Sequence, residues 1–259
     1  LKDLAKQTFL PKQVIIVEQH GDTNSSSELD YLTTETWPFK INLTFTHQLG
    51  VCNARNLALQ HLENDWVFFA DDDIRFDQLL FESSFNTIQK YGAFALNFSC
   101  LQEHQTQTYF NIGQTFIFGS GSSFVSSKIA KQINFDKTFE FGFGEDTDYG
   151  ANIRALGYDV VFAANINLLH LKAPMGGFRQ PIPKLWDNDP IKPKPAPTML
   201  ALFQKHFTPN QLKGYKLFLF LKMYGKSNPF NYYSNLKKFQ KRWNKSQFYA
   251  HKLSDINYA

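Results

Sequence analysis

Short apolar runs and amphipathic stretches alternate along the first hundred residues. QVIIVE (13–18), INLTFT (41–46), WVFFA (66–70) and AFALNF (93–98) are uninterrupted enough to be buried strands. Between them, GVCNARNLALQHLE (50–63) and FDQLLFESSFNTIQKYG (76–92) carry apolar positions at helical spacing, with Asn53 or Asp77 near the starts and Gly92 as a stop. Strands and helices alternating at this spacing predict a largely parallel sheet covered on both faces, an α/β fold. Further on come a Gly/Ser-rich segment, FGSGSSFVSSK (118–128), a helix over EDTDYGANIRALG (145–157) stopped by Gly157, and two short strands, YDVVFA (158–163) and INLLHL (166–171).

The last third changes character. Pro174 to Pro197 holds seven of the eleven prolines, too many for regular structure, and reads as a linker or lid. Beyond it, Ala201 to Ala259 carries eleven Lys/Arg against one acid, Asp255, and interleaves them with aromatics, which predicts a basic helical extension. The remaining 16 Lys/Arg and 22 Asp/Glu make Leu1 to Leu200 acidic, so the overall charge of +4 conceals a strongly divided chain. The expected boundaries are 1–173 for a main domain, 174–198 for the Pro-rich loop and 199–259 for the extension. The tail suits an anionic surface: peripheral membrane contact or packing through its aromatic face, in preference to nucleic acid.

At 259 residues and 43% hydrophobic, the chain can bury a full core, and its composition excludes a disordered protein. Cys52 and Cys100 make neither a disulfide framework nor a zinc cluster. The opening residues lack the succession of a secretory signal, and no stretch reaches the length of a membrane span. A cytoplasmic protein, at most peripheral to the inner face of a membrane, is the expectation.

Two acidic clusters carry the candidate chemistry. DDD (Asp71, Asp72, Asp73) follows directly on the apolar run 66–70, at the carboxyl end of a strand, where ligands bind in open α/β sheets. Three adjacent carboxylates repel one another unless solvent or a cation relieves them, and a hard divalent cation with oxygen ligands suits such a cluster. The second cluster, FGFGEDTDYG (141–150), places Glu145, Asp146 and Asp148 in a first helical turn, where the helix dipole already favours negative charge. Its glycines allow a tight turn and close approach to a ligand. One cluster binding a cation and the other supplying a metal-free base is a natural division.

These residues resemble a known family. FFADDDI is similar to the DxD motif of glycosyltransferases with the GT-A fold, family 2 in particular, and GVCNARNLAL is similar to that family's G-x-x-x-ARN helix. INFDKTFEFGFGEDTDYGANIRALGYDVVF resembles its later segment, in which an acidic pair opens a helix ending in GY. With FGSGSSFVSSK before it, that segment is also similar to the catalytic region of β-1,4-galactosyltransferases. The likeness runs roughly from Leu1 to Gly177.

What it implies is a GT-A, Rossmann-like, mostly parallel sheet with helices on both faces, and a sugar moved from a nucleotide-sugar, most often a UDP-sugar, to a hydroxyl of a glycan or lipid-linked acceptor. By position, Asp71 and Asp72 would meet the donor, Arg55 the nucleotide or diphosphate, and Asp73 with His170 would hold Mn²⁺ or Mg²⁺. Asp146 would be the base of an inverting displacement, with Glu145, Asp148 and Gly121 on the acceptor side. Trp186 would close over the donor or serve as a packing anchor.

Two departures stand out. Family members open with an apolar strand that precedes the helix at which this chain starts, so a first strand is expected to be missing. Where the family has VVDDGS this chain has IVEQHGD, leaving Glu18 to replace the first acidic contact to the base. The rival readings are a sugar-phosphate nucleotidyltransferase and a noncatalytic nucleotide- or sugar-binding module.

Overall fold

The computed structural model describes residues 1–140, 142–172 and 183–255. In chain order the elements are β1 (Gln13–Gln19), α1 (Tyr31–Thr34), β2 (Lys40–Thr46), α2 (Val51–Leu59), β3 (Trp66–Ala70), β4 (Ile74–Arg75), α3 (Leu80–Tyr91), β5 (Ala95–Leu101), β6 (Gly113–Gln114) and β7 (Ser122–Ser126). They continue with α4 (Ser127–Ala130), α5 (Glu145–Ala155), β8 (Val160–His170), α6 (Pro197–His206), α7 (Pro209–Tyr224) and α8 (Tyr232–Asp255). The chain divides into two compact units, one of Leu1–Asp136 with Glu145–Arg179, the other of Lys137–Gly144 with Gln180–Ala259.

In the first unit β1 and β2 form a parallel pair, and the other six strands form a second sheet whose main order is β3-β7-β5-β8-β4. β3 and β5 both run antiparallel to β7, so they share a direction, and β8 pairs parallel with β5. The long strands thus run mostly one way, with β7 reversed among them. Consecutive side chains of β3 show why its sequence is continuously apolar. Phe68 packs against Phe76, Phe81, Phe98 and Phe124 on one face, and Phe69 against Phe118, Phe135 and Tyr149 on the other. A strand covered on both faces needs apolar residues at every position. α2 and α5 lie over the Phe69 face, with Cys52, Leu59, Tyr149 and Ile153 in its core. α3 covers the other through Leu80 and Phe81.

Three sequence expectations need correction. The Gly/Ser-rich segment, to which the sequence assigns no strand, is β7 over 122–126, buried at every position between β3 and β5. The Ser123 hydroxyl is satisfied internally; its Oγ lies 2.7 Å from the Gly119 carbonyl and 3.1 Å from Asn97 Oδ1. The two strands expected over 158–171 are one, β8, with a register shift: Phe98 pairs with Ala163 but Ser99 with Asn167, so Ala164 to Ile166 bulge out. And α3 starts at Leu80 instead of Phe76, because Asp77 Oδ1 accepts from the Leu79 N–H at 2.7 Å and holds a turn there.

The second unit is helical, as its composition predicts. α7 opens with a capping box in which Thr208 and Gln211 exchange side-chain and backbone hydrogen bonds, followed by Pro209. Leu200, Leu219, Phe220, Phe239 and Trp243 make its core. Of the Pro-rich stretch, 173–182 lies outside the described residues. The remainder up to Ala196 is laced to α8: Ser246 Oγ donates to the Pro195 carbonyl at 2.8 Å and Arg242 Nε to that of Lys192 at 3.0 Å. Trp186 meets Tyr249 of α8 at a ring distance of 5.9 Å, the packing-anchor arrangement. Asp189 accepts from Lys245 Nζ, Tyr249 Oη and the Ile191 N–H, each at 2.8 Å.

Candidate active site

β3 ends at Ala70, and the chain turns with the Asp71 N–H on the Gly121 carbonyl at 2.9 Å. From there the three carboxylates diverge. Asp72 is exposed. Asp73 is buried, its carbonyl accepting from the Leu171 N–H at 2.8 Å while its Oδ1 lies 3.3 Å from His170 Nε2. The antiparallel pairing of Ile74 with His170 between β4 and β8 makes this meeting a consequence of strand register. Asp71 turns the other way, against Gly121, where a Cβ would overlap its carboxylate. Gly121, expected on the acceptor side, is therefore the residue that gives Asp71 room.

Arg55, on α2, joins the two acidic clusters. Its guanidinium nitrogens lie 3.7 Å from Asp71 Oδ1, 3.9 Å from Glu145 Oε1 and 3.7 Å from Asp146 Oδ1, and its plane rests over the Phe135 ring at 5.2 Å. Distances of this size are ion pairs without hydrogen bonds, and Nη1 is buried with no hydrogen-bond partner. Partial loss of solvent around the half-exposed Asp71 carboxyl pushes it above its ordinary range; Arg55 opposes this, while Asp73, Asp146 and Asp72 add to it. One guanidinium does not offset so many negative charges, which leaves the cluster suited to a further cation.

Asp146 stands in the first turn of α5. The N–H of Ser120 donates to its Oδ1 at 3.2 Å, and the Ser120 hydroxyl donates to the same oxygen. With Arg55 beside Oδ1 as well, the polar contacts that the described residues make to the carboxylate all fall on Oδ1 and leave Oδ2 without a partner among them. The Phe118 N–H donating to the Asp146 carbonyl at 3.3 Å fixes the backbone too. Ser120 as a partner of Asp146 is the functional residue that sequence reasoning missed: its segment was singled out, but nothing in GSG says which carboxylate it will meet. Cys100, another residue not anticipated, lies near enough for Asp71 and Asp73 to raise its thiol, which burial chiefly pushes up and a hydrogen bond with Ser122 lowers.

Other expected site residues lie elsewhere. Asp148 is fully buried and accepts from Asn152 Nδ2 at 3.1 Å, so it braces α5 and presents no surface to an acceptor. Glu18, on β1, accepts the Glu28 N–H at 3.1 Å through Oε1, while its Oε2 is buried without a hydrogen-bond partner. That orphan acceptor suits an N–H of a ligand. Among the described residues no three His, Cys, Asp or Glu side chains form a ready-made metal site. Asp73 and His170 together offer one carboxylate oxygen and one imidazole nitrogen, a donor pair that fits Mn²⁺ and leaves positions for phosphate oxygens.

This arrangement can be set beside known proteins. No curated protein sequence matches the chain. Among solved structures, S. aureus TarS 1–349 in complex with UDP-GlcNAc is similar at a TM-score of 0.56 and 15% identity, over 99% of this chain and 84% of that one. A second structure of S. aureus TarS 1–349 gives 0.51 at 15% identity, over 99% of this chain and 83% of that one. GalNAc-T7 with UDP, GalNAc and Mn²⁺ gives 0.58 at 11% identity, over 90% of this chain and 49% of that one. At such identities these likenesses bear on the fold, which is the GT-A fold. The model of glycosyl transferase family 2 matches residues 1–141, over half the sequence, and takes in β3, the Asp triplet, the Arg55 helix and Ser120. The chain is a glycosyltransferase and belongs to family 2.

Proposed function

We propose that this glycosyltransferase moves a sugar from a UDP-sugar to a hydroxyl of a glycan or lipid-linked acceptor, with inversion and with a divalent cation. The observation that carries the reading is the one-sided tethering of Asp146, with Ser120 and Arg55 on Oδ1 and no partner on Oδ2 among the described residues. A carboxylate held in this way is oriented as a general base. Oδ2 takes the proton of the acceptor hydroxyl as that oxygen bonds to the anomeric carbon, and the bond from that carbon to the diphosphate oxygen breaks on the opposite side. Arg55, between Asp146 and Asp71, holds base and donor cluster in one frame, so that much of the rate comes from alignment.

Asp73 and His170 would hold Mn²⁺ or Mg²⁺, which when bound supplies positive charge to the leaving diphosphate. The buried Oε2 of Glu18 supports a role in accepting an N–H from the base, and a uracil offers one. The UDP-GlcNAc complex of TarS and the Mn²⁺ in the GalNAc-T7 structure support the choice of donor and cation. The basic extension favours an acceptor met at a membrane, on its cytoplasmic face.

The test uses water as acceptor. A panel of UDP-, GDP-, dTDP- and CMP-sugars with Mn²⁺ is assayed for nucleotide release, and the sugar freed from an α-linked donor is followed by NMR before it mutarotates. Release from UDP-sugars alone, stopped by EDTA, with the β-anomer appearing first, is the expected result. The α-anomer first, or release indifferent to EDTA, overturns inversion or metal dependence respectively.

A further inference from the structure

α7 is apolar on both of its faces. Its inward stripe, Leu212, Tyr215, Leu219 and Phe220, belongs to the core of the second unit. Its outward stripe also carries Leu217, Phe218 and Leu221, each more than half exposed. The i, i+3, i+4 spacing puts these three on one strip of helix surface. A helix that serves only to cover a core shows polar residues there. The exposure continues around the corner: Phe230 is 95% exposed, and Tyr232 and Tyr233 at the start of α8 are more than half exposed. The Tyr232 ring meets Phe220 edge-on at 5.3 Å, which brings the start of α8 back against α7.

Lysines frame this ridge. Lys222 lies 6.0 Å from the Phe218 ring and Lys237 4.3 Å from that of Tyr233, while Lys213 and Lys226 are also exposed. No acid stands between Ala201 and Ser254. We propose that the outward face of α7 and its corner with α8 dock on an anionic lipid bilayer, apolar side chains entering the interface and lysines meeting the headgroups. Long lysine side chains lay their stems along apolar surface and keep their charge at headgroup level, which is the arrangement around Phe218 and Tyr233. A second copy of the chain would bring like charge against like. A nucleic acid would have no use for Leu217 and Leu221, since bases stack on aromatic planes. No helix among the described residues is long and apolar enough to cross a membrane, so the contact is one that lies on the surface. The inference deepens the proposed reaction by naming where a lipid-linked acceptor is met.

The test is flotation of the full chain with vesicles of phosphatidylcholine alone and with phosphatidylglycerol mixed in. It needs no donor, so its failure and a failure of transfer are read separately. The expected result is flotation with anionic vesicles only, reversed by high salt. The pair Phe218→Ser and Leu221→Ser, both exposed, should weaken it at least about tenfold, a loss that 1.4 kcal/mol accounts for. Lys222→Glu with Lys226→Glu should weaken it too, with melting temperatures unchanged in both variants. No flotation with anionic vesicles, equal flotation of the Phe218/Leu221 variant, or dimer formation or oligonucleotide binding in its place overturns the proposal.

Discussion

The two acidic clusters of the first unit contain the same number of carboxylates and are built on opposite plans. Asp71, Asp72 and Asp73 follow a strand where the chain turns, and their side chains part: Asp71 meets Arg55, Asp72 faces solvent and Asp73 meets His170. Glu145, Asp146 and Asp148 lie in a helical turn whose N-terminus favours negative charge. There Ser120 and Asn152 supply hydrogen-bond donors to Asp146 and Asp148. The strand-end cluster keeps Asp71 above its ordinary range, and only Arg55 among its neighbours opposes that. A cluster whose carboxylates crowd one another is suited to recruit a cation with its substrate, whereas one supplied with donors can hold a base in place without metal.

The sharpest way to break this contrast is Asp146→Asn. If Asp146 is the base, UDP release should fall by about 10²- to 10⁴-fold, the usual range for general base catalysis, with donor binding retained. Loss of donor binding in parallel would place Asp146 in the wrong cluster. Ser120→Ala comes next. A hydrogen bond to a charged group is worth about 1.5–3 kcal/mol, so turnover should drop by roughly 10- to 100-fold with little change in donor affinity. Ser120→Thr, which keeps the hydroxyl, should recover part of it; a change in affinity alone would make Ser120 a substrate contact.

Asp189 of the second unit is the control, a carboxylate with all its donors in hand. Hydrogen bonds from Lys245 first, then the Ile191 N–H and Tyr249, hold its carboxyl down at about 2. A group depressed below its unfolded value, about 3.9, stabilises the fold above that pH and loses the contribution as pH falls towards 2. Acid melting should therefore show a drop between about pH 4 and pH 2 that is missing in Asp189→Asn, whose melting temperature at pH 7 is already lower. The smallest effect is expected at Tyr149, beneath Asp146 on α5. Its hydroxyl is buried without a hydrogen-bond partner, and burial pushes its ionisation upward. Tyr149→Phe should raise stability slightly, by about 1 kcal/mol at most, seen as a higher melting temperature. A clear loss would mean that the hydroxyl is partnered after all.

Much of this arrangement was legible in the sequence where local pattern and tertiary demand agree. WVFFA reads as a strand buried on two faces, and Phe68 and Phe69 do fill two cores. EDTDYGANIRALG reads as a helix stopped near Gly157, which has φ +86°. What stayed hidden depends on partners distant in the chain. β7 looks like a loop because Ser and Gly favour turns, and one of the two partners of the Ser123 hydroxyl, Asn97, lies 26 residues earlier in the chain. The bulge of β8 exists only against β5. At the site, Arg55 and the two carboxylate clusters could be singled out from motifs, but that Arg55 ties them together, that Asp148 turns inward and that Ser120 holds Asp146 are products of the folded sheet edge.

The central claim, that the strand-end cluster takes donor and cation while the helix cluster supplies the base, can be tested without knowing the acceptor. Thermal stability is measured with saturating UDP-GlcNAc, with and without Mn²⁺, for the native chain, Asp73→Asn and Asp146→Asn. At about 100 times the dissociation constant a ligand adds roughly 2.7 kcal/mol, a readily seen shift. The account predicts that shift, dependent on Mn²⁺, in the native chain and in Asp146→Asn, and its absence in Asp73→Asn. A full shift in Asp73→Asn, or its loss in Asp146→Asn alone, would contradict the account.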